Sequence, residues 1–321
     1  MSDFSSPPIK DLNFYKKPKK HGRDWIKVES PVEMDGIKIA DTHAHVNMLN
    51  DPSLALVQAD LNSITFIEAM TDPLSDEGVG FYNELPDVVT EAVAVKNEFT
   101  SASCEELNVK IRLACGVHPH YSKDYSQDVE DALLEKLKDP RTSALGEIGL
   151  DYHYDFSPRK DQLQVFERQV EIAQKAGLPL ILHVRDAFND AYAVMKNAGW
   201  SNAGVLLHCY TSDANELKRW VEADCYVAFG GAFTFKKSVE IRESAKLVPL
   251  NRLLTETDSP FMAPEPFRSS ECVPAHTLFT ANALYEFLNE EYKIDRIEFF
   301  EQLQKNAVQL LDRPATIWQK S

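Results

Sequence analysis

The segment IADTHAHVNM, residues 39–48, sets two histidines one residue apart behind an alternating apolar run and an aspartate. Side chains two apart on a strand project to the same side, so His43 and His45 can chelate one ion. Farther along, His118, Glu147, His183, His208 and Asp258 each sit near the end of a short apolar run. Imidazole and carboxylate together suit borderline divalent ions such as zinc or manganese, and no thiolate need take part. The mixture also suits two ions sharing a bridging carboxylate. Plainer readings stand beside these: His118 as a hydrogen-bonded strand-end residue, Glu147 as a salt-bridge partner under a rim, Asp258 as a helix cap. Jointly, His43, His45, Glu147, His183, His208 and Asp258 point to metal, because a carboxylate behind SALG in a buried strand needs compensation that a cation supplies.

Residues so far apart in the chain meet only if the elements carrying them converge. Eight runs read as strands, at 36–46, 63–70, 109–120, 143–152, 178–186, 204–211, 225–231 and 252–260, with helical patterns between them. The count predicts an α/β fold, a TIM-like (β/α)8 barrel with an N-terminal extension and C-terminal helices. In that fold sites form at the C-terminal ends of the strands, where six of the eight runs place a histidine, aspartate or glutamate. The clearest helix follows the fourth strand: Ser157 as N-cap, Pro158 in the first turn, Leu163, Phe166, Val170 and Ala173 at helical spacing, Gly177 as stop. Helices are also expected over 127–138, 187–198, 213–223 and 237–247. Stretches 275–290 and 294–312 are expected to pack outside the barrel, and TDPLSDEGVGFYNELPD, after the second strand, to form a long polar loop. Cys115 and Cys209, out of phase with the inward set, should point into the barrel–helix layer.

A formal charge of −16 over 321 residues excludes a broad electropositive face for gripping duplex nucleic acid. The exception is KKPKKHGR, residues 16–23, in a basic N-terminal extension (1–34) with seven Lys/Arg against five Asp/Glu; the barrel is expected over 35–321. That extension is expected to wrap the barrel in part or to stay mobile. Five cysteines with no CxxC fit a reducing cytoplasm, and neither a signal peptide nor a membrane span is expected. GGAFTFKKS lacks the glycine a phosphate loop requires before lysine, and no GxSxG or GxGxxG occurs.

The ordered blocks DTHAH, GVHPH, GEIGLDY, HVRDA, HCYTS and TETDSPFMAP, with DFSPRKDQ and FTFKKS between them, resemble the TatD family of metal-dependent deoxyribonucleases over about residues 37–312. The resemblance implies two divalent ions (zinc, magnesium or manganese). His43, His45, Glu147 and Asp258 would hold one, Glu147, His183 and His208 the other, with Glu147 bridging. His118 takes the place of the family's substrate-side histidine, and Arg185 and Lys236 are candidates for substrate contacts at the rim. The implied activity is hydrolysis of DNA phosphodiesters, as a 3′–5′ exonuclease on single strands or ends, with Glu147 and Asp258 catalytic and Asp258 taking the proton from the attacking water. DNA is the expected partner and a monomer the expected state. Two other functions fit the same residues: an ester or amide hydrolase such as a D-aminoacyl-tRNA deacylase, and a non-catalytic scaffold in which metal staples the barrel. The sequence departs from the family pattern in its basic extension, in a longer connection after the second strand, and in Ser212 where the family often has glycine.

Overall fold

The computed structural model describes residues 14–18, 25–31, 36–100 and 103–321. Eight parallel strands lie side by side in chain order: β1 (Ile39–Ala44), β2 (Ile64–Thr71), β3 (Lys110–Cys115), β4 (Thr142–Asp151), β5 (Leu180–Arg185), β6 (Val205–Leu207), β7 (Tyr226–Phe229) and β8 (Leu253–Thr255). The end of β8 returns to β1. Thr42 Oγ1 donates to Thr255 O at 3.1 Å, Asp258 N to His43 O at 2.9 Å and His45 N to Ser259 O at 2.7 Å, so the sheet is a nearly closed barrel. The expected eight strands are present, several of them shorter at the C-terminal end, where polar side chains leave the ladder: β3 stops at Cys115, β6 at Leu207, β8 at Thr255.

Every strand gives a residue to an inner apolar cluster that includes Ala40, Phe66, Ala114, Ala144, Ile181, Leu206, Ala228 and Leu254. Nine helices are described: α1 (Pro52–Leu61), α2 (Asp76–Thr100), α3 (Gln127–Lys138), α4 (Arg159–Ala176), α5 (Phe188–Ala198), α6 (Ala214–Glu222), α7 (Val239–Ala245), α8 (Thr277–Tyr292) and α9 (Arg296–Leu311). Contrary to expectation, α9 does not merely pack outside. Ala307, Leu310 and Leu311 join the inner cluster, and Asn306 Nδ2 donates to Leu250 O and Leu253 O, so the helix plugs the end of the barrel where the strands begin.

The segment after β2 is a helix, not a polar loop. Phe81, Leu85 and Ala92 recur at helical spacing and are buried, and Tyr82 beside them reaches Thr142 Oγ1 at 2.9 Å. Pro86, inside α2, has no N–H for the carbonyl four residues back; Arg141 Nη1 donates to Tyr82 O at 2.8 Å instead, which is how the helix tolerates it. Helix α4 begins at Arg159 with Pro158, which has no side-chain acceptor, at the cap position; Ser157, one residue earlier, accepts from Lys123 N at 3.1 Å and donates to His120 O at 2.7 Å. Gly177 ends it as expected, in the left-handed region at φ 68°.

Within the extension, Phe14–Pro18 and Trp25–Glu29 pair as an antiparallel hairpin. Val28 packs on the outer core and Pro31 O accepts from Arg296 Nη2 at 3.2 Å. Residues 19–23 of the basic stretch lie outside the described residues. Among the described residues no helix is long and apolar enough to cross a membrane.

Candidate metal centre

Two one-residue bulges decide which side chains enter the barrel mouth. Along β1, three steps from Asp41 to Ala44 match two from Ile67 to Ala69; along β4, three from Leu145 to Ile148 match two from Leu180 to Leu182. Simple alternation from the inward Ala40 and Ala144 would send His43 and Glu147 outward. The extra residue inverts the phase, so His43 and Glu147 face inward while Ala44 and Ile148 join the outer core. Gly149 lets β4 lie close to β5: a Cβ there would stand 2.0 Å from His183 O.

Glu147, buried, is the hub. Its Oε2 lies 3.3 Å from His43 Nε2 and 3.6 Å from His45 Nε2; its Oε1 lies 2.7 Å from His208 Nε2, 2.8 Å from His183 Nδ1 and 3.4 Å from His118 Nε2. Asp258 closes the first side, with Oδ1 3.5 Å from His45 Nε2 and 3.7 Å from His43 Nε2. Burial alone would raise the Glu147 pKa, but His208, His118 and His43 outweigh it and hold the carboxyl well below its usual range. Burial likewise opposes ionisation of Asp258, and the hydrogen bond from His45 with the neighbouring imidazoles keeps its pKa below normal. Both residues are carboxylates.

These residues fit divalent ions. Three sets of donor atoms gather within 4.8 Å of one another: His43, Glu147 and His208; His43, His45 and Asp258; His118, Glu147 and His183. Among the described residues neither buried ring nitrogen of His43 has a hydrogen-bond partner, Glu147 Oε2 at 3.3 Å making none, an arrangement that costs free energy unless a ligand takes a lone pair.

Carboxylates outside the predicted set surround the imidazoles, and one of them, Asp151, hydrogen-bonds their rings. Asp151 Oδ2 accepts from His183 Nε2 at 3.1 Å and His120 Nε2 at 2.8 Å, so the lone pair of His183 Nδ1 points inward. Glu256 Oε1 lies 3.5 Å from His208 Nδ1. Asp41 accepts from Thr257 N at 2.9 Å and Thr257 Oγ1 at 2.6 Å, fastening β1 to the segment that carries Asp258; burial pushes its carboxyl up to about 8 despite those bonds. Asp72 accepts from His118 N at 3.0 Å. Two of these had a signal in the sequence. Glu256 stands two residues before Asp258 and Asp72 two after the inward Met70, both in phase with the mouth.

His118 is placed differently from the ligand set. Its Nδ1 accepts from His120 N at 3.2 Å, which leaves the proton of a neutral ring on Nε2, and burial lowers its pKa to about 4. The ring is therefore a donor toward the cleft. Arg185, ending β5, lies over the Tyr154 ring at 4.8 Å and lines the same cleft of about 570 Å³ as His45, His118, His120, Glu147 and Asp258. Lys236 is exposed and outside that lining. All five cysteines are free. Cys115 lies in the outer core as expected, whereas Cys209, at φ 43°, turns toward the centre, where Asp258, Glu256 and Glu147 act on its thiol after burial.

A parallel barrel whose mouth converges on histidines and carboxylates defines a metal-dependent hydrolase. The chain belongs to the TatD related DNase family, which it matches over residues 40–312. It is 32% identical over 243 residues to YcfH of Escherichia coli, an uncharacterized metal-dependent hydrolase, covering 74% of this chain and 83% of that one. It is 31% identical over 199 residues to the 3′-5′ ssDNA/RNA exonuclease TatD of Citrobacter koseri, covering 57% and 76%. The crystal structure of YJJV, a TatD homologue from Escherichia coli, superposes with a TM-score of 0.71 at 22% identity over 87% of this chain and all of that one, which shows the fold.

Proposed function

We propose that this protein hydrolyses phosphodiester bonds of DNA at strand ends or in single strands, as a two-metal 3′–5′ exonuclease. The observation that carries the reading is the two-sided environment of Glu147, one oxygen facing His43 and His45, the other His183 and His208. His43, His45, Glu147 and Asp258 would hold one ion, Glu147, His183 and His208 the second. Bound there, divalent ions supply Lewis acidity, lowering the pKa of a coordinated water and neutralising charge on the phosphoryl group. Asp258, ionised and held by His45, accepts the proton as the water oxygen bonds to phosphorus and the bond to the leaving sugar oxygen breaks, that oxygen taking up a proton from solvent. His118 donates its Nε2 proton in a hydrogen bond to a phosphate oxygen, and Arg185 offers charge at the rim. The exonuclease name of the Citrobacter koseri relative supports the substrate class.

The test incubates chelated and metal-loaded protein with a 3′-labelled oligonucleotide and, separately, with a D-aminoacyl-tRNA. Stepwise shortening of the oligonucleotide only with metal is expected, and Asp258→Ala should cut it roughly 10²- to 10⁴-fold while the circular dichroism spectrum is unchanged. Product from the tRNA ester alone overturns the reading, as does full turnover in the Asp258 variant.

A further inference from the structure

We infer that Tyr154 and Phe156 form a stacking platform for a nucleobase next to the scissile phosphate; the inference rests on the nuclease reading above and extends it to how the substrate is held. The two rings lie parallel, 9° apart with centroids 5.2 Å apart, yet they are not core residues: Tyr154 is 49% and Phe156 57% exposed. Tyr154 lines the cleft whose floor is Glu147, and His120 of the same cleft meets both rings edge-on, at 5.7 Å and 4.8 Å. The Arg185 guanidinium over the Tyr154 ring holds the phenol, while Phe156, the more exposed, keeps surface free to receive a base.

The platform is rigid. Its loop follows β4 directly, and Asp151 Oδ1 accepts from His153 N at 2.9 Å and Tyr154 N at 3.0 Å. Gln162 Nε2 donates to Asp151 O and Ser157 O at 3.1 Å and 2.9 Å, and Arg159 pairs with Asp155 at 3.0 Å. The same Asp151 carboxylate receives His183 and His120, so rings and metal centre share one anchor and stand in fixed register. Two large apolar rings held open to water, beside a site for a phosphodiester, match what single-stranded nucleic acid needs, since every base offers a π-face. An acidic protein has particular use for this contact. With a formal charge of −16 the chain gains little from phosphate neutralisation, and among the described residues Arg185 is the one Lys or Arg that lines the cleft.

The test uses the full chain with Mn²⁺ and oligothymidylates whose last linkage is a phosphorothioate, which slows cleavage. These carry 2-aminopurine, whose fluorescence falls on stacking, at the 3′-terminal or the penultimate position. Quenching is expected at one of the two in the wild type, lost in Phe156→Ala and restored in Phe156→Trp. With ordinary oligonucleotides Phe156→Ala should raise KM roughly 10-fold with kcat little changed, and placing an abasic residue at the quenched position in the wild type should do the same. Quenching at neither position, or equal quenching and KM in Phe156→Ala, overturns the platform even if the wild type cleaves DNA. Quenching without any cleavage leaves the platform standing and overturns the nuclease reading.

Discussion

Replacing Asp151 by asparagine should weaken metal binding without touching a proposed ligand. The carboxylate takes four hydrogen bonds: His153 N and Tyr154 N on Oδ1, His120 Nε2 and His183 Nε2 on Oδ2. Burial raises the cost of this charge, yet the bonds from His120 and His183 hold the pKa far below normal, so it is a carboxylate at any working pH. An amide can satisfy only one pair. If its oxygen keeps the two backbone N–H groups, its NH₂ faces two imidazole nitrogens that had been donating; if it turns round, the loop loses its anchor. In either orientation His183 is no longer compelled to aim the Nδ1 lone pair at the centre. Partners of this kind are worth about 10- to 100-fold in metal affinity, or roughly 1.4–2.7 kcal/mol. Competition against a chromophoric chelator measures that affinity, and turnover at saturating Mn²⁺ separates binding from chemistry. An Asp151→Asn variant that binds metal within about threefold of wild type would refute the argument that Asp151 orients His183.

Two further outcomes can be checked. Glu68, buried in the barrel interior with Ser143 Oγ donating to it at 2.6 Å, has its carboxyl pushed up to about 8 by desolvation. Because the folded state keeps this proton up to about 8 while the unfolded chain releases it near 4.5, stability should fall as pH rises through that interval, by roughly 3 kcal/mol at pH 7. Glu68→Gln should flatten the decline; urea midpoints at pH 5 and pH 8 that shift equally in both proteins would count against it. Oligonucleotide affinity should depend weakly on salt, with a log–log slope of about −1, since among the described residues Arg185 is the one Lys or Arg lining the cleft. A slope steeper than about −3 would reveal an extended basic path elsewhere.

The barrel was legible because each strand is a compact apolar run and each residue of the centre lies in the C-terminal half of one or just beyond it. The pairing of His43 with His45 needed only the period of two. What stayed hidden depended on events that alternation does not encode. The bulges at Asp41–Ala44 and Leu145–Ile148 bring His43 and Glu147 inward, yet nothing in the local composition marks the extra residue. Helix α2 was concealed by Pro86 and by the acidic residues on its outer face; its stability comes from Phe81, Tyr82 and Leu85 packing on the barrel and from Arg141 reaching the freed carbonyl. The burial of Asp151 was equally invisible, because a carboxylate beside a strand end looks like a rim residue until the imidazole it faces is known.

The centre is arranged in three concentric shells of alternating chemistry. Glu147 occupies the middle, imidazoles surround it, and carboxylates or backbone groups lie outside them. His183 is tied outward through Nε2 to Asp151, His118 through Nδ1 to His120 N, and His208 has Nδ1 toward Glu256. The Asp151 acceptor fixes the ring proton of His183 on the outside and leaves its inner nitrogen as a lone pair. The outer donor on His118 does the reverse and turns its inner nitrogen into an N–H. One residue type thereby presents a lone pair inward at His183 and an N–H inward at His118. The distinction lies in what touches the far side of each ring, which is why, under the proposed function, His118 can stand 3.4 Å from Glu147 and face the substrate.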